Sequence, residues 1–436
     1  MSQSSPLCIG MALAFSWLSK NAWRRTDSRI EDIHHSDLYI ELAKRAEAAK
    51  LDFLFRPDTL FLNQHAIEHE PGFSSLDPMV LLASLARETK HIGLIATAST
   101  AFLPPFAVAR QLQSLQWVSQ GRAGWNIVTA LDGQGNFGQE ELLPSKQRYQ
   151  KAAEFTQVVQ QLWRSYPHEA LLADQSSGQY TNPSLIQPIN HQGEYFSVQG
   201  PLNIPASPYG EVALFQAGAS ESGRDFAAQT AHAIFAASPD IESGIELRQD
   251  LQQRAKAHGR DPRSIKVLPG LSLFLAKTRE QAEQLHRETH LNLGLKRRFD
   301  YLKQALGVDF SCYSLDHILG PDDLPSDTTP VRSLTHAELL RRRIERDRPS
   351  LETLLNSPEV IGSAHWLVIG TPEDAVDAIV TRAAAKSMDG FIAVPSGSWE
   401  SVTLFLEHVM PRLVELGLAH RDYRGNTLSV NLGIGE

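Results

Sequence analysis

Short apolar runs alternate with longer amphipathic stretches along most of the chain. Residues 7–15, 51–55, 91–98 and 122–128 read as the first four strands, and 212–216, 233–237, 265–276 and 390–394 as the last four. Between them apolar positions recur at helical spacing. They are Leu38, Leu42, Ala46 and Ala49; then Met79, Leu82, Ala83 and Ala86; then Val108, Leu112 and Leu115; then Tyr149, Ala152, Phe155, Val159 and Leu162. Further helices are expected over 244–258, from Thr278, from Thr371 and on to about Leu416. The punctuation agrees. Asp77-Pro78 and Thr371-Pro372 each pair a capping side chain with a proline at the first helical position. Pro104-Pro105 opens another helix, Pro57 stops the second strand, and Gly121 ends a helix in the left-handed conformation.

Two stretches break the alternation. Residues 165–210 are rich in Pro, Gly, Asn and Gln and read as an insertion with a short hairpin, suited to a lid. Residues 291–360 carry Asp, Pro and Arg clusters and read as a second insertion. The tail after Tyr423 is polar and is expected on an outer surface. Strands alternating with helices in this order predict the α/β class and an eight-fold β/α (TIM) barrel, one domain over 1–436 with two insertions. An open doubly wound sheet is the alternative. No repeat of 20 to 50 residues is visible.

Composition narrows the function. With 42% hydrophobic residues the chain can bury a large core, and its formal net charge of −9 argues against a nucleic-acid partner. The basic cluster Arg341, Arg342, Arg343, Arg346 and Arg348 is interrupted by Glu345 and Asp347, as on a solvated helix face. Cys8 and Cys312 allow one bridge at most, so a reducing, cytoplasmic setting is expected. The apolar run 7–18 has no Lys or Arg before it and is too short to span a bilayer, so no membrane partner is expected.

The end of the fourth strand is unusual. A buried parallel strand normally stays aliphatic, yet this one carries Trp125, Asn126 and Thr129 near the edge where α/β folds seat ligands. Either the ring, amide and hydroxyl meet a flat, polar-edged ligand, or Trp125 packs in the core and the other two close a turn. Three other patterns invite chemistry. GQGNFG at 133–138 matches a dinucleotide fingerprint, but Leu142, Leu143 and Pro144 separate its glycines from the next helix, so a turn accounts for it better. His65, Glu68 and His69 spell an inverted zinc-protease pattern, but Pro71 and Gly72 follow at once and no third ligand is apparent, so no metal is assigned. Gly218-Ala219-Ser220-Glu221-Ser222 resembles a nucleophile elbow, with Ser222 where its second glycine belongs. Small residues at a helix N-terminus suit a phosphate better. Asp58, Thr97, Asn126, Tyr149, Ala219 and Ser220 therefore form the candidate site at one end of the barrel, fit for a flat phosphorylated cofactor.

In these residues the chain resembles the bacterial-luciferase-like flavin monooxygenases, in the branch of nitrilotriacetate monooxygenase component A and dibenzothiophene-sulfone monooxygenase. The matching text is Asp58-Thr59-Leu60, LARETKHIGLIATAST at 85–100, GRAGWNIVT at 121–129, Asn136-Phe137-Gly138, Arg148-Tyr149, Gly200-Pro201-Leu202-Asn203 and Gln216-Ala217-Gly218-Ala219-Ser220. Gly370-Thr371-Pro372-Glu373, Asp389-Gly390-Phe391 and the run around 423–428 complete it. The resemblance implies a barrel, a homodimer or higher homo-oligomer, and reduced FMN (FMNH2) delivered by a separate flavin reductase. It also implies activation of O2 to oxygenate a small organic substrate. Carried over by position, Asp58, Thr97, Tyr149 and Ser220 contact FMN, Ala219 and Ser220 at its phosphate, and Asn126 lies where it could meet the flavin. No catalytic residue is assigned. Ser145 stands where the family commonly has His, which removes a candidate flavin contact or proton donor. Pro57 and Asp77 replace the family's usual Ala and Glu. The alternatives are a deazaflavin-dependent hydride transferase on the same fold and a serine hydrolase using Ser220.

Overall fold

The computed structural model describes residues 6–14, 20–62, 64, 67–72, 74–130, 132–218, 220–290, 294–325, 334–362 and 364–434. Strands β1 (Cys8–Ala12), β2 (Phe53–Arg56), β3 (Gly93–Ser99) and β4 (Ala123–Val128) pair in parallel in chain order. Two antiparallel hairpins follow, β5 (Leu171–Asp174) with β6 (Gln179–Thr181) and β7 (His191–Gln192) with β8 (Ser197–Val198). The parallel sheet resumes with β9 (Ala213–Gln216) beside β4, then β10 (Ala233–Ala236) and β11 (Lys266–Leu275). β12 (Trp366–Gly370) pairs with the upper half of β11, and β13 (Gly390–Pro395) joins β11 to β1 and closes the ring. The closed barrel runs β1-β2-β3-β4-β9-β10-β11-β13. The closed ring excludes the open-sheet alternative. β12 is a ninth parallel strand that the sequence reading passed over, lying just after the second insertion.

Strand alternation sorts the core into two layers. Outward residues such as Leu94, Trp125 and Leu214 pack against the helices. Inward residues such as Phe53, Phe55, Ile95, Phe215 and Ile392 fill the barrel. Aromatic edges meet there, Phe53 with Phe215 at 5.2 Å and Phe55 with Phe235 at 5.1 Å between centroids. The helix Pro105–Val118 buries Val108, Leu112 and Leu115 as its spacing predicts. The helix Pro78–Glu88 departs from expectation. Its buried stripe is Pro78, Leu81, Leu82, Leu85 and Ala86, while Ala83 faces solvent. The stripe starts at the proline itself and follows the three- and four-residue steps from there. Asp77 caps that helix and Thr371 caps the helix Pro372–Ala384, as read from sequence.

The C-terminal tail does not lie on an outer surface. The short helix Leu428–Leu432 inserts Leu428 and Leu432 into the barrel's inner cluster at its N-terminal end. The tail is polar in sum but presents two leucines four residues apart, enough for one buried face. The second insertion builds its own core. Helices Leu295–Leu306, Leu334–Asp347 and Leu351–Leu355 enclose Leu302, Leu306, Phe310, Leu340, Ile344 and Leu354. Arg342 and Arg346 pair at the surface with Glu246 and Asp240, while Arg343 pairs with the buried Glu359. The first insertion is tied down by Glu154, whose carboxylate accepts the N–H groups of Tyr195 (3.0 Å) and Phe196 (2.9 Å) and meets His191.

Candidate active site

At the C-terminal ends of the strands the inward residues become small and polar: Ala12, Thr97, Asn126, Ser272 and Ser396. Thr97 and Asn126 stand side by side in register on β3 and β4. The Asn126 amide donates to the Thr97 hydroxyl (2.9 Å), which donates to the Arg56 carbonyl (2.7 Å), so the chain of bonds crosses three strands. Among the described residues Asn126 Oδ1 is buried and without a partner. Gln216, at the end of β9, likewise has a buried unpartnered Oε1. Native proteins rarely leave buried amide oxygens unpaired unless something else meets them.

Beside Gln216 sits Tyr149, four residues into the helix Ser145–Arg164. Its hydroxyl contacts the side chains of Ser220, Thr129 and Gln216, and burial raises its pKa above the usual phenol value. A Cβ at Gly218 would collide with that hydroxyl, so the close approach requires glycine. Ser220 caps the helix Glu221–Thr230 and accepts the Gly223 N–H at 3.3 Å. Arg148 donates to the Ala130 carbonyl at 3.2 Å and keeps a buried Nε with no partner among the described residues. A helix N-terminus, two hydroxyls, an amide and a guanidinium make a seat for a phosphate.

A cavity of about 440 Å³ opens at the mouth, and of the predicted site residues Asp58 lines it while Thr97, Asn126, Tyr149 and Ser220 do not. It is lined by Asp58, Arg56, Tyr39, Phe235, Ser272, Phe274 and Ser396 from the barrel, and above them by Lys20 and His365 from loops and by His290 and Ile361 at helix ends. Burial pushes the Asp58 carboxyl up to about 6, with Asp77 adding to it and the Thr59 N–H and Arg56 opposing. Burial also holds His365 down at about 4 and His290 at about 3. The His365 ring stacks on Phe235 at 5.2 Å.

Five of the six predicted site residues thus lie on one rim. Thr97 and Asn126 touch, Tyr149 and Ser220 touch, and Asp58 lines the adjoining cavity. Ala219 falls outside the described residues. Trp125 is not part of the site. It is fully buried on the helix side, 5.9 Å from Phe155, with its indole N–H donating to the Ala98 carbonyl. Asn126 points inward, so its neighbour on the strand must point outward. Sequence reasoning gave no role to Gln216, Lys20, His290 or His365. Only Gln216 carried a signal, as a polar residue ending an apolar strand. Of the histidine pattern, His65 lies outside the described residues, and Glu68 and His69 are exposed. No cluster able to hold a metal occurs among the described residues. The glycine-rich stretch forms a short 3-10 turn over Gln134–Phe137.

The profile of the luciferase-like monooxygenases matches residues 15–388. N-acetyl-S-(2-succino)cysteine monooxygenase of Bacillus subtilis (strain 168) is 36% identical, covering 99% of this chain and 98% of that protein. Nitrilotriacetate monooxygenase component A of Aminobacter aminovorans is 31% identical, covering 100% and 98%. Among solved structures, a riboflavin lyase crystallised with modified FMN and riboflavin superimposes with a TM-score of 0.85 at 29% identity, over 98% of this chain and 96% of that one. With a closed barrel, a polar mouth and near full-length similarity, this chain belongs to the luciferase-like monooxygenase family.

Proposed function

We propose that the chain is the oxygenase of a two-component system, taking reduced FMN from a separate flavin reductase and oxygenating a small organic substrate with O2. One oxygen atom enters the substrate and the other leaves as water. When bound, the reduced flavin supplies the two electrons and activates O2. The chain's own groups bind, orient and shield. Tyr149, Ser220 and Arg148 are assigned to the phosphate, with Ala219 beside them. Thr97, Asn126 and Asp58 are assigned to the polar edge of the ring system. The carrying observation is the pair of buried, unpartnered amide oxygens, Asn126 Oδ1 and Gln216 Oε1, beside the Tyr149–Ser220 cluster. Such oxygens accept from N–H or O–H groups, which reduced FMN has on its ring and its ribityl chain. Asp58, held partly protonated near neutral pH, can donate as well as accept. A hydrolase reading of Ser220 finds no support, because its recorded partners are the Gly223 N–H and the Tyr149 hydroxyl rather than a histidine. The relatives named as monooxygenases favour oxygen chemistry over hydride transfer to a deazaflavin. Two free cysteines fit a reducing cytoplasm, and the family resemblance supports a homodimer. Among the described residues no helix is long and apolar enough to cross a membrane.

Anaerobic titration with reduced FMN tests the site. Wild-type protein should bind it, and Ser220→Ala should bind about tenfold more weakly, the loss expected for one hydrogen bond to a charged group. With NADH, FMN, a flavin reductase and ¹⁸O2, product should carry one labelled oxygen. No binding of reduced FMN by the wild type, or unlabelled product, would overturn the reading.

A further inference from the structure

Two carboxylates, Asp58 and Asp77, act on the Arg56 side of the cavity, whereas Glu70 alone acts on Lys20 at the other end. Arg56 is buried, and its guanidinium donates to the carbonyls of Leu13 and Leu76 while its Nε has no partner among the described residues. Lys20 donates its ammonium to the Ile361 carbonyl. Among the described residues neither side chain forms an ion pair. Glu70 is the acidic group that acts on Lys20. Its two oxygens are already taken, one by the Lys20 backbone N–H (2.5 Å) and one by Arg297 (2.5 Å). Arg298 adds to the positive field at Lys20. Among the described residues the Lys20 end of the cavity therefore sets two cations, Lys20 and Arg297, against the one carboxylate of Glu70. Burial, with Arg297 and Arg298 acting in the same direction and Glu70 against them, pulls the Lys20 ammonium down to about 8.

Desolvating an ammonium is costly unless an opposite charge meets it. Carbonyl dipoles compensate in part, as they do for Arg56, but they leave net charge behind. Among the described residues the rest of this end supplies no anion. The His290 and His365 rings are neutral, and His290 Nδ1 already bonds the His286 carbonyl at 2.8 Å. Asp58 lines the cavity from the end of β2 and belongs to the group assigned to the flavin. One stretch of the wall is apolar, Phe235, Phe274, Val394 and Ile361, with Ser272, Thr289 and Ser396 lining the same cavity.

Resting on the reading of the mouth as an oxygenase site, we propose that the substrate is an organic acid. Its carboxylate pairs with the Lys20 ammonium, and its oxidisable atom lies against the apolar wall of Phe235, Phe274 and Val394. Lys20 is then a specificity residue, and its effect falls on the choice of substrate rather than on the oxygen chemistry.

A matched pair that differs only in charge tests this: N-acetyl-S-(carboxymethyl)cysteine and its dimethyl ester, titrated calorimetrically into the flavin-free chain at pH 7. The wild type should bind the diacid at least tenfold more tightly than the diester. Lys20→Met should bring the two within twofold, and Lys20→Arg should restore the preference. Equal or undetectable affinities in the wild type, a preference that survives Lys20→Met, or an arginine variant that fails to restore it would each overturn the assignment. Circular dichroism of both variants guards against misfolding, and the wild-type comparison needs no variant. Titration of the same preparations with reduced FMN is read separately. A wild type that prefers the acid but binds no reduced flavin removes the oxygenase reading and leaves the charge selection at Lys20 standing.

Discussion

Asp58 shows how a single side chain can serve a site at the expense of the fold. Burial raises its folded-state pKa to about 6, above the 3.8 of an unperturbed aspartate. Between those two values the folded chain holds a proton that the unfolded chain has released, so stability falls as pH rises. The penalty is complete above the folded pKa and absent below the unfolded one. At 1.36 kcal/mol per pKa unit, Asp58→Asn should stabilise the protein by about 1–3 kcal/mol at pH 8. The gain should shrink toward zero near pH 4, and urea unfolding at both pH values measures it. A gain independent of pH would show that the carboxyl is not perturbed. The same variant should bind reduced FMN more weakly, a trade of stability against function. Residues of this kind were legible where they broke a pattern. Thr97 and Asn126 stand out because buried strands are otherwise aliphatic. Trp125, open between mouth and core in the sequence, takes the core because adjacent strand positions face opposite ways, so only one of Trp125 and Asn126 can reach the mouth. Lys20, His290 and His365 gave no signal, since they come from three segments distant in sequence and meet only in the fold.

At the scale of elements, the barrel strands and most helices followed from periodicity, but the tail did not. A five-residue helix is too short to show a period, and its flanks are polar. Its fit is nonetheless tight. Leu428 is fully buried, and a Cβ at Gly93 would lie 2.5 Å from its Cδ1. Leu428→Ala removes buried methyl groups and should cost about 2–5 kcal/mol. Gly93→Ala overpacks the same spot and should cost about 1–3 kcal/mol. The double variant should be less destabilised than the two losses added, by about 1 kcal/mol, because the new methyl occupies space the leucine has left. The rescue stays partial, since that Cβ would also lie 3.0 Å from Phe53 Cβ and 3.1 Å from the Asp52 carbonyl. Denaturant unfolding of the four proteins gives the coupling, and strict additivity would mean that the tail does not press on β3.

The whole molecule stacks its tasks along the barrel axis. Leucines of the tail seal one end, aromatic edges fill the middle, polar groups line the mouth, and Ile361 and His365, just after the second insertion, close over it. Oxygen chemistry on a reduced flavin needs water kept out while substrate is admitted, so the cover must open without unfolding the barrel that holds the cofactor. The separation of cores permits this. The cover's cluster around Phe310 shares no member with the barrel's inner cluster. Phe310→Ala should therefore cost about 3–5 kcal/mol locally. It should appear as faster hydrogen exchange in Leu295–Leu306 and Leu334–Asp347, with β3 and β4 still protected. Reduced-FMN affinity should change little, because the assigned phosphate and ring contacts all lie on the barrel side. Coupling should suffer instead, with less product per NADH and more hydrogen peroxide released. If exchange quickens equally in barrel and cover, the two cores unfold as one, and access to the flavin has to be controlled by the loops at the rim rather than by a cover that moves as a unit.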